Sequence, residues 1–258
     1  MISSFRSSYG FGRRPLTILN PTNLPSGFVW LNADLGSATN FGSALTDGST
    51  VSTWKDVYAG AHDANKSGNA SVKPIWKSNI QNGYGVVRFD GSNDSLNINP
   101  VNSPAPSLQS ASAFSLFAVA RASSLGSTRC MTATDTGGYK IFHNGSFWSV
   151  SAAEGTAVSG SAGNTTGFHI FTLLYNGSAT GNSNRVRFRY DSAEQSLNFG
   201  ASTAGTLTNA NAQYFYVAED SGVNFFAGDV AEIILYVRAF TASEVTAEEA
   251  YLKSHWGL

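Results

Sequence analysis

VVRFDGSNDSL, residues 86–96, runs from an apolar stretch into a Gly-Ser-Asn turn flanked by Asp90 and Asp94. The alternation in YGVVRFD (84–90) reads as a strand, and DGSND as the signal that stops it. Three readings of the stop compete: a calcium loop, a catalytic carboxylate pair, or the corner between two strands. An EF-hand that began at Asp90 would need glycine at its sixth position and an acid at its twelfth, where Ser95 and Val101 stand. Asp90, Asn93 and Asp94 with backbone carbonyls would still suit the flexible oxygen shell of calcium. As a corner, the same side chains would bond nearby amides while Gly91 takes the strained φ.

Similar runs recur on both sides of this stretch. FVWLNA (28–33), VSTWKDV (51–57), FSLFAVARA (114–122), FHIFTLLYNG (168–177), RVRFRYDS (185–192), AQYFYVAED (212–220) and GDVAEIILYVRAF (228–240) read as strands. YKIFHNGSFWSVSA (139–152) reads as a hairpin, with Asn144-Gly145 as its two-residue turn. In RVRFRY and AQYFYVA the alternation is strict enough to put one face in water. SSLGSTRCMTATDTGG and VSGSAGNTTG read as loops by composition. Nine or ten short strands with scarcely a helical pattern predict an all-β, two-sheet antiparallel sandwich of the jelly-roll kind.

One helix is predicted, over 241–254. Thr241 and Glu244 fit a capping box, and Ala242, Val245, Leu252 and Trp256 share a face that Glu249 interrupts. It reads as a short amphipathic helix that seals one end of the sandwich. At the other terminus, residues 1–27 hold three prolines, little alternation, and Phe5, Arg6, Tyr9, Phe11, Arg13 and Arg14. Arginine and aromatic anchors favour interfaces, so these residues read as an extended docking arm, leaving 28–258 for the sandwich.

The whole chain sets limits on partners. It has 16 Lys+Arg against 17 Asp+Glu, so no global field would draw in nucleic acid. Charged residues are 13% of the 258, about half the usual share, so Ser, Thr, Asn and Gly must supply the polar surface. VAEIILYV is far shorter than the roughly 20 apolar residues of a membrane span, so no membrane insertion is expected. The first 27 residues hold no apolar core of a Sec signal peptide, and the twin arginine in GRRPL precedes a polar, proline-broken segment. The single cysteine, Cys130, excludes an internal disulfide framework.

FVWLNADLG, the V-x-x-W-x-D of VSTWKD, RFDGSNDSL, and the ending FAGDVAEIILYVRAFTASEVTAEEAYLKSHWGL occur in an order that resembles one superfamily. It is the laminin-G-like, concanavalin A-like sandwich superfamily, in the version found on bacterial and phage surface proteins. The resemblance covers about residues 28 to 258, and the ending is its most specific part. It implies a two-sheet jelly roll whose members bind glycans, proteins or other surfaces, often with calcium. It also implies that DGSND is mostly architectural and that His169 is a packing residue.

Catalytic signals fail one by one. Glycosidases on this fold carry their acids at alternate positions of one strand, and no such run exists. Glu232 has Ile234 two residues on, and the adjacent acids of AEDSG would point to opposite faces of a strand. His62, His143, His169 and His255 show no metal-ligand spacing, no G-x-S-x-G elbow occurs, and Cys130 lacks the context of a nucleophile. The chain is therefore read as non-enzymatic, with no required cofactor and calcium left open.

A glycan site needs aromatic platforms and fixed polar groups, and the predicted hairpin offers Tyr139, His143, Asn144 and Trp148. Strand alternation means that half of these must face the core instead. The resulting expectation is a phage virion protein, held on capsid or tail by its arm, whose sandwich adheres to host-surface polysaccharide. A purely structural capsid decoration protein and a secreted, extracellular carbohydrate-binding module are the alternatives. Homo-oligomerisation is left open.

Overall fold

The computed structural model describes residues 29–57, 62–66, 68–98, 108, 111–134, 138–153, 166–200, 202–207 and 214–258, and the backbone of 155–159. The predicted arm, with Phe5, Arg6, Tyr9, Phe11, Arg13 and Arg14, lies outside the described residues.

The strands are, in chain order, β1 (Val29–Asn32), β2 (Thr53–Trp54), β3 (Ala64–Asn65), β4 (Ile75–Gln81), β5 (Tyr84–Asp90) and β6 (Leu96–Ile98). They continue with β7 (Ala113–Ala122), β8 (Thr128–Thr134), β9 (Tyr139–Asn144), β10 (Trp148–Ala152), β11 (Gly155–Ser159) and β12 (His169–Asn176). The last are β13 (Val186–Tyr190), β14 (Ala193–Glu194), β15 (Leu197–Phe199), β16 (Phe215–Val217) and β17 (Ala227–Tyr236). Two single-turn helices, α1 (Ala38–Phe41) and α2 (Asn182–Arg185), and one long one, α3 (Ala242–Trp256), complete the set.

They form a two-sheet antiparallel sandwich. Sheet A has the order β14-β13-β12-β7-β17-β5-β4, with β1 also paired to β17; sheet B has the order β15-β11-β10-β9-β8-β16-β6-β3-β2. The described strands outnumber the nine or ten read from sequence because several are two- or three-residue edge pieces. In addition, β8 (TRCMTAT) lies in a segment read as a loop, and β11 (GTAVS) overlaps another at Val158 and Ser159.

β17 is the keystone of sheet A, buried along its whole length. Val230, Ile233 and Leu235 enter the core between the sheets, whereas Ala231, Ile234 and Tyr236 face the other way. Each such aliphatic side chain contributes about 1.5–3 kcal/mol by leaving water. A register shift between Val230 and Glu232 puts both Ala231 and Glu232 on the outer face. There α3 packs Val245, Leu252 and Trp256 against Val86, Phe117, Val119 and Ile234. The helix therefore covers the outer face of sheet A rather than one end, and Ala242, expected on its buried stripe, is exposed.

The capping box forms: Thr241 Oγ1 accepts from the Glu244 N–H at 3.3 Å, and Glu244 Oε2 from the Thr241 N–H at 2.7 Å. Glu249 interrupts the stripe because it has a partner beneath it. Arg189 donates to both its oxygens at 2.8 and 2.9 Å, and Thr172 Oγ1 adds a third bond at 2.9 Å. Glu232, fully buried, accepts from Trp30 Nε1 at 2.5 Å, Trp256 Nε1 at 2.7 Å and the Tyr251 hydroxyl at 3.3 Å, tying β1, β17 and α3 together. Gly85 in β5 has no room for a side chain, since a Cβ would lie 2.4 Å from the Trp76 ring.

Candidate carbohydrate-binding face

The DGSND segment forms the corner between β5 and β6. Asp90 Oδ1 accepts from the N–H of Ser92 (2.7 Å), Asn93 (3.2 Å) and Asp94 (3.3 Å), and Asp94 Oδ2 accepts from the Asp90 N–H at 3.1 Å. Gly91 takes φ 77°, and a Cβ there would meet the Ala227 Cβ at 2.5 Å. Burial raises the Asp90 carboxyl, but its backbone N–H partners outweigh that and hold it below the usual value. Asp94 goes the other way, pushed up to about 6 by burial first and then by the Asp90 charge. Such a split resembles an acid–base pair, but one oxygen of each carboxylate is spent on turn amides. Asn93 is exposed, and nothing brings its side chain to the two acids beyond the turn itself. Among the described residues no group of three or more His, Cys, Asp or Glu side chains is placed to share a metal ion.

The predicted hairpin exists, and its parity overturns most of the predicted glycan site. Tyr139, His143 and Trp148 are buried in the sandwich, leaving at most 1% of each exposed. Tyr139 bonds its hydroxyl to Thr132 Oγ1 at 3.2 Å, and burial pushes its phenol pKa up. His143 and Trp148 are cross-strand partners that meet edge to face, and Trp148 also packs on Phe171. None of the three can offer a ring face to a sugar. Asn144 is exposed, but its carbonyl accepts from the N–H of Ser146 and Phe147 and its amide donates to Ser149 Oγ. It opens the turn rather than forming its centre, which is Gly145-Ser146, with Gly145 at φ 94°.

The residues that alternate with the core-facing ones lie on the outer side of sheet B and build a different site, in which Ala133 and Tyr216 are themselves buried, at 0% and 9% exposure, and Tyr214 and Phe142 are half-buried. Pairing registers place Ser151, Lys140, Ala133, Tyr216, Asn97, Asn65 and Thr53 in one row across sheet B. The register shift between Cys130 and Thr132 is what brings Ala133 onto this face, since Met131 and Thr132 both turn inward. Beside the row, Tyr214 stacks on Tyr216 with ring centroids 5.7 Å apart, and Phe142 joins them in a small apolar cluster separate from the main core. Lys140 is held by Asp220 at 2.7 Å, and Asn65 by Thr53 Oγ1 at 2.9 Å. The Asn97 amide is partly exposed and uncommitted among the described residues. Aromatic rings flanked by neutral amides and hydroxyls suit the alternating apolar and hydroxyl surfaces of a sugar.

One sequence signal could have fixed the parity. The charge of Lys140 keeps it out of the core, which forces its neighbours Tyr139 and Ile141 inward, and the hairpin register carries Val150, opposite Ile141, with them. AQYFYVAED signals a strand with alternating faces, but the place of Tyr214 and Tyr216 beside Ala133 and Asn97 follows only from the pairing of β16 with β8 and β6.

No protein-family model matches the sequence, and no curated protein matches it either. Solved structures do share the fold. Trypanosoma rangeli sialidase in complex with sialic acid matches with a TM-score of 0.57 at 16% identity, over 90% of this chain and 33% of that one. This chain thus spans about a third of the sialidase. Domain 4 of AbnA, a GH43 extracellular arabinanase from Geobacillus stearothermophilus in complex with arabinotriose, matches with a TM-score of 0.53 at 12% identity. That match covers 84% of this chain and 98% of the domain. Likeness at this distance shows a shared two-sheet β-sandwich fold.

Proposed function

We propose that this protein is a non-enzymatic glycan-binding sandwich that uses the outer face of sheet B. The observation that carries the reading is the transverse row through Lys140, Tyr216, Asn97 and Asn65, with the Tyr214–Tyr216 stack beside it. It sets the half-buried Tyr214 ring, backed by the buried Tyr216, beside the accessible amides of Asn97 and Asn65. The arabinanase domain of the same fold, matched across its length, is in complex with arabinotriose, which adds support.

We further propose a location on the exterior of a virion, with residues 1–27 attaching the chain to capsid or tail proteins. The support is the arginine and aromatic content of that segment and the resemblance of the remainder to phage surface domains. Many copies on one particle would turn weak sugar contacts into firm adhesion by avidity.

The test is binding of the full chain, displayed on beads, to extracted bacterial polysaccharides. Saturable binding competed by free oligosaccharide is expected, reduced at least about tenfold by Tyr214→Ala or Asn97→Ala. Binding that ignores both substitutions would overturn the site. No binding at all would leave a structural decoration protein.

A further inference from the structure

The opposite side of the molecule carries a second row. On the outer face of sheet A, beyond the part that α3 covers, Arg88, Asp229 and Arg121 are register partners on β5, β17 and β7. Phe168, at the foot of β12, follows Arg121, whose guanidinium lies 4.9 Å over its ring. Both arginines converge on one carboxylate. Arg88 Nε and Nη2 bond the two oxygens of Asp229 at 2.6 and 2.9 Å, while Arg121 Nε and Nη2 share Oδ2 at 2.8 and 2.7 Å.

Two guanidiniums on one carboxylate leave one positive charge uncompensated, since arginine does not deprotonate in proteins. Asp47 also acts on Arg88, but that carboxylate is already committed to Lys77 and the Ser78 N–H. Asp229 is buried, yet the arginine side chains are 38% and 34% exposed. Neither Nη1 has a partner among the described residues. These donors border a cleft of about 420 Å³ that Ser123, Thr166 and Gly228 also line.

We infer that this cleft binds the carboxylate of an acidic saccharide, an inference that rests on the glycan-binding reading above. A group of charge −1 cancels the surplus, whereas a phosphate monoester, at close to −2, would overshoot it. Free Nη1 donors from two planar forks match the two oxygens of a carboxylate. Ser123 and Thr166 supply hydroxyls for the sugar ring, while the Phe168 ring beneath Arg121 backs its guanidinium. The cleft and the Tyr216 row lie on opposite outer faces, so one molecule offers two contacts of different chemistry.

The experiment is calorimetric titration of the full chain with tetragalacturonic acid, its fully methyl-esterified form and inorganic sulfate. The charged oligomer is expected to bind at least about tenfold more tightly than the ester, because a charge-assisted contact is lost on esterification. Arg121→Gln and Arg88→Gln should each remove that preference; each leaves the other arginine on Asp229, and thermal melts check that both variants fold. Tyr214→Ala, on the far face, should leave it intact. Equal binding of acid and ester, abolished by Tyr214→Ala, would overturn the inference while the glycan reading stands. Binding of sulfate alone would overturn the carboxylate assignment, and silence from every saccharide would overturn both.

Discussion

Replacing Asp94 by asparagine tests the corner at 90–94 quantitatively. In the folded protein the Asp94 carboxyl is 7% exposed and pushed up to about 6, by burial first and the Asp90 charge second. In the unfolded chain it returns to 3.8. Between these values the folded state holds the proton more tightly, so stability falls as pH rises from about 4 to about 6 and then levels off. About two pKa units correspond to roughly 3 kcal/mol, and solvent screening at a corner reduces this to about 1–2 kcal/mol. Asparagine keeps an oxygen to accept the Asp90 N–H and carries no charge. Asp94→Asn should therefore be more stable than the parent by about 1–2 kcal/mol at about pH 7.5, with the gain fading below about pH 4. Urea denaturation across that range measures it. A variant that is less stable at neutral pH, or a difference independent of pH, would refute the reasoning. Stabilisation of the parent by millimolar calcium, abolished in the variant, would replace the turn with a calcium site.

Other perturbations follow from the same geometry. Trp148→Ala should cost about 3–5 kcal/mol in thermal or chemical unfolding as a core cavity, whereas Trp148→Phe folds and binds polysaccharide as the parent does. Glu232→Ala strands two indole N–H groups and a tyrosine hydroxyl between β1, β17 and α3; a loss of about 3–5 kcal/mol is expected in urea denaturation. Burial pushes the Cys130 thiol pKa up and leaves it 1% exposed, so a thiol-specific dye should label it only at the rate of unfolding.

The fold was legible where one face of a strand is apolar and the strand is long. YGVVRFD matched β5 residue for residue, β7 and β12 were found within one residue of their ends, and the reading of β17 began one residue late and ran four residues past Tyr236. β8 escaped because Thr128, Arg129, Thr132 and Thr134 give it the composition of a loop. Its strand character comes from neighbours on both sides, a tertiary effect that local propensity does not carry. The candidate site was legible only to its strand. Tyr139 and Trp148 attract attention as aromatics, but a one-residue change of parity exchanges core for surface. The charge of Lys140 holds that parity. The Arg88–Asp229–Arg121 row had no sequence signature, because its members lie 33 and 108 residues apart along the chain and meet only through register.

The most direct test of the outer face of sheet B is to follow the asparagine side-chain amides of the full chain by NMR during titration with a bound oligosaccharide. The Asn97 amide should shift progressively and saturate with binding, while that of Asn144, tied up in its turn, stays still. Saturable binding that leaves Asn97 unmoved would place the sugar elsewhere and contradict the account.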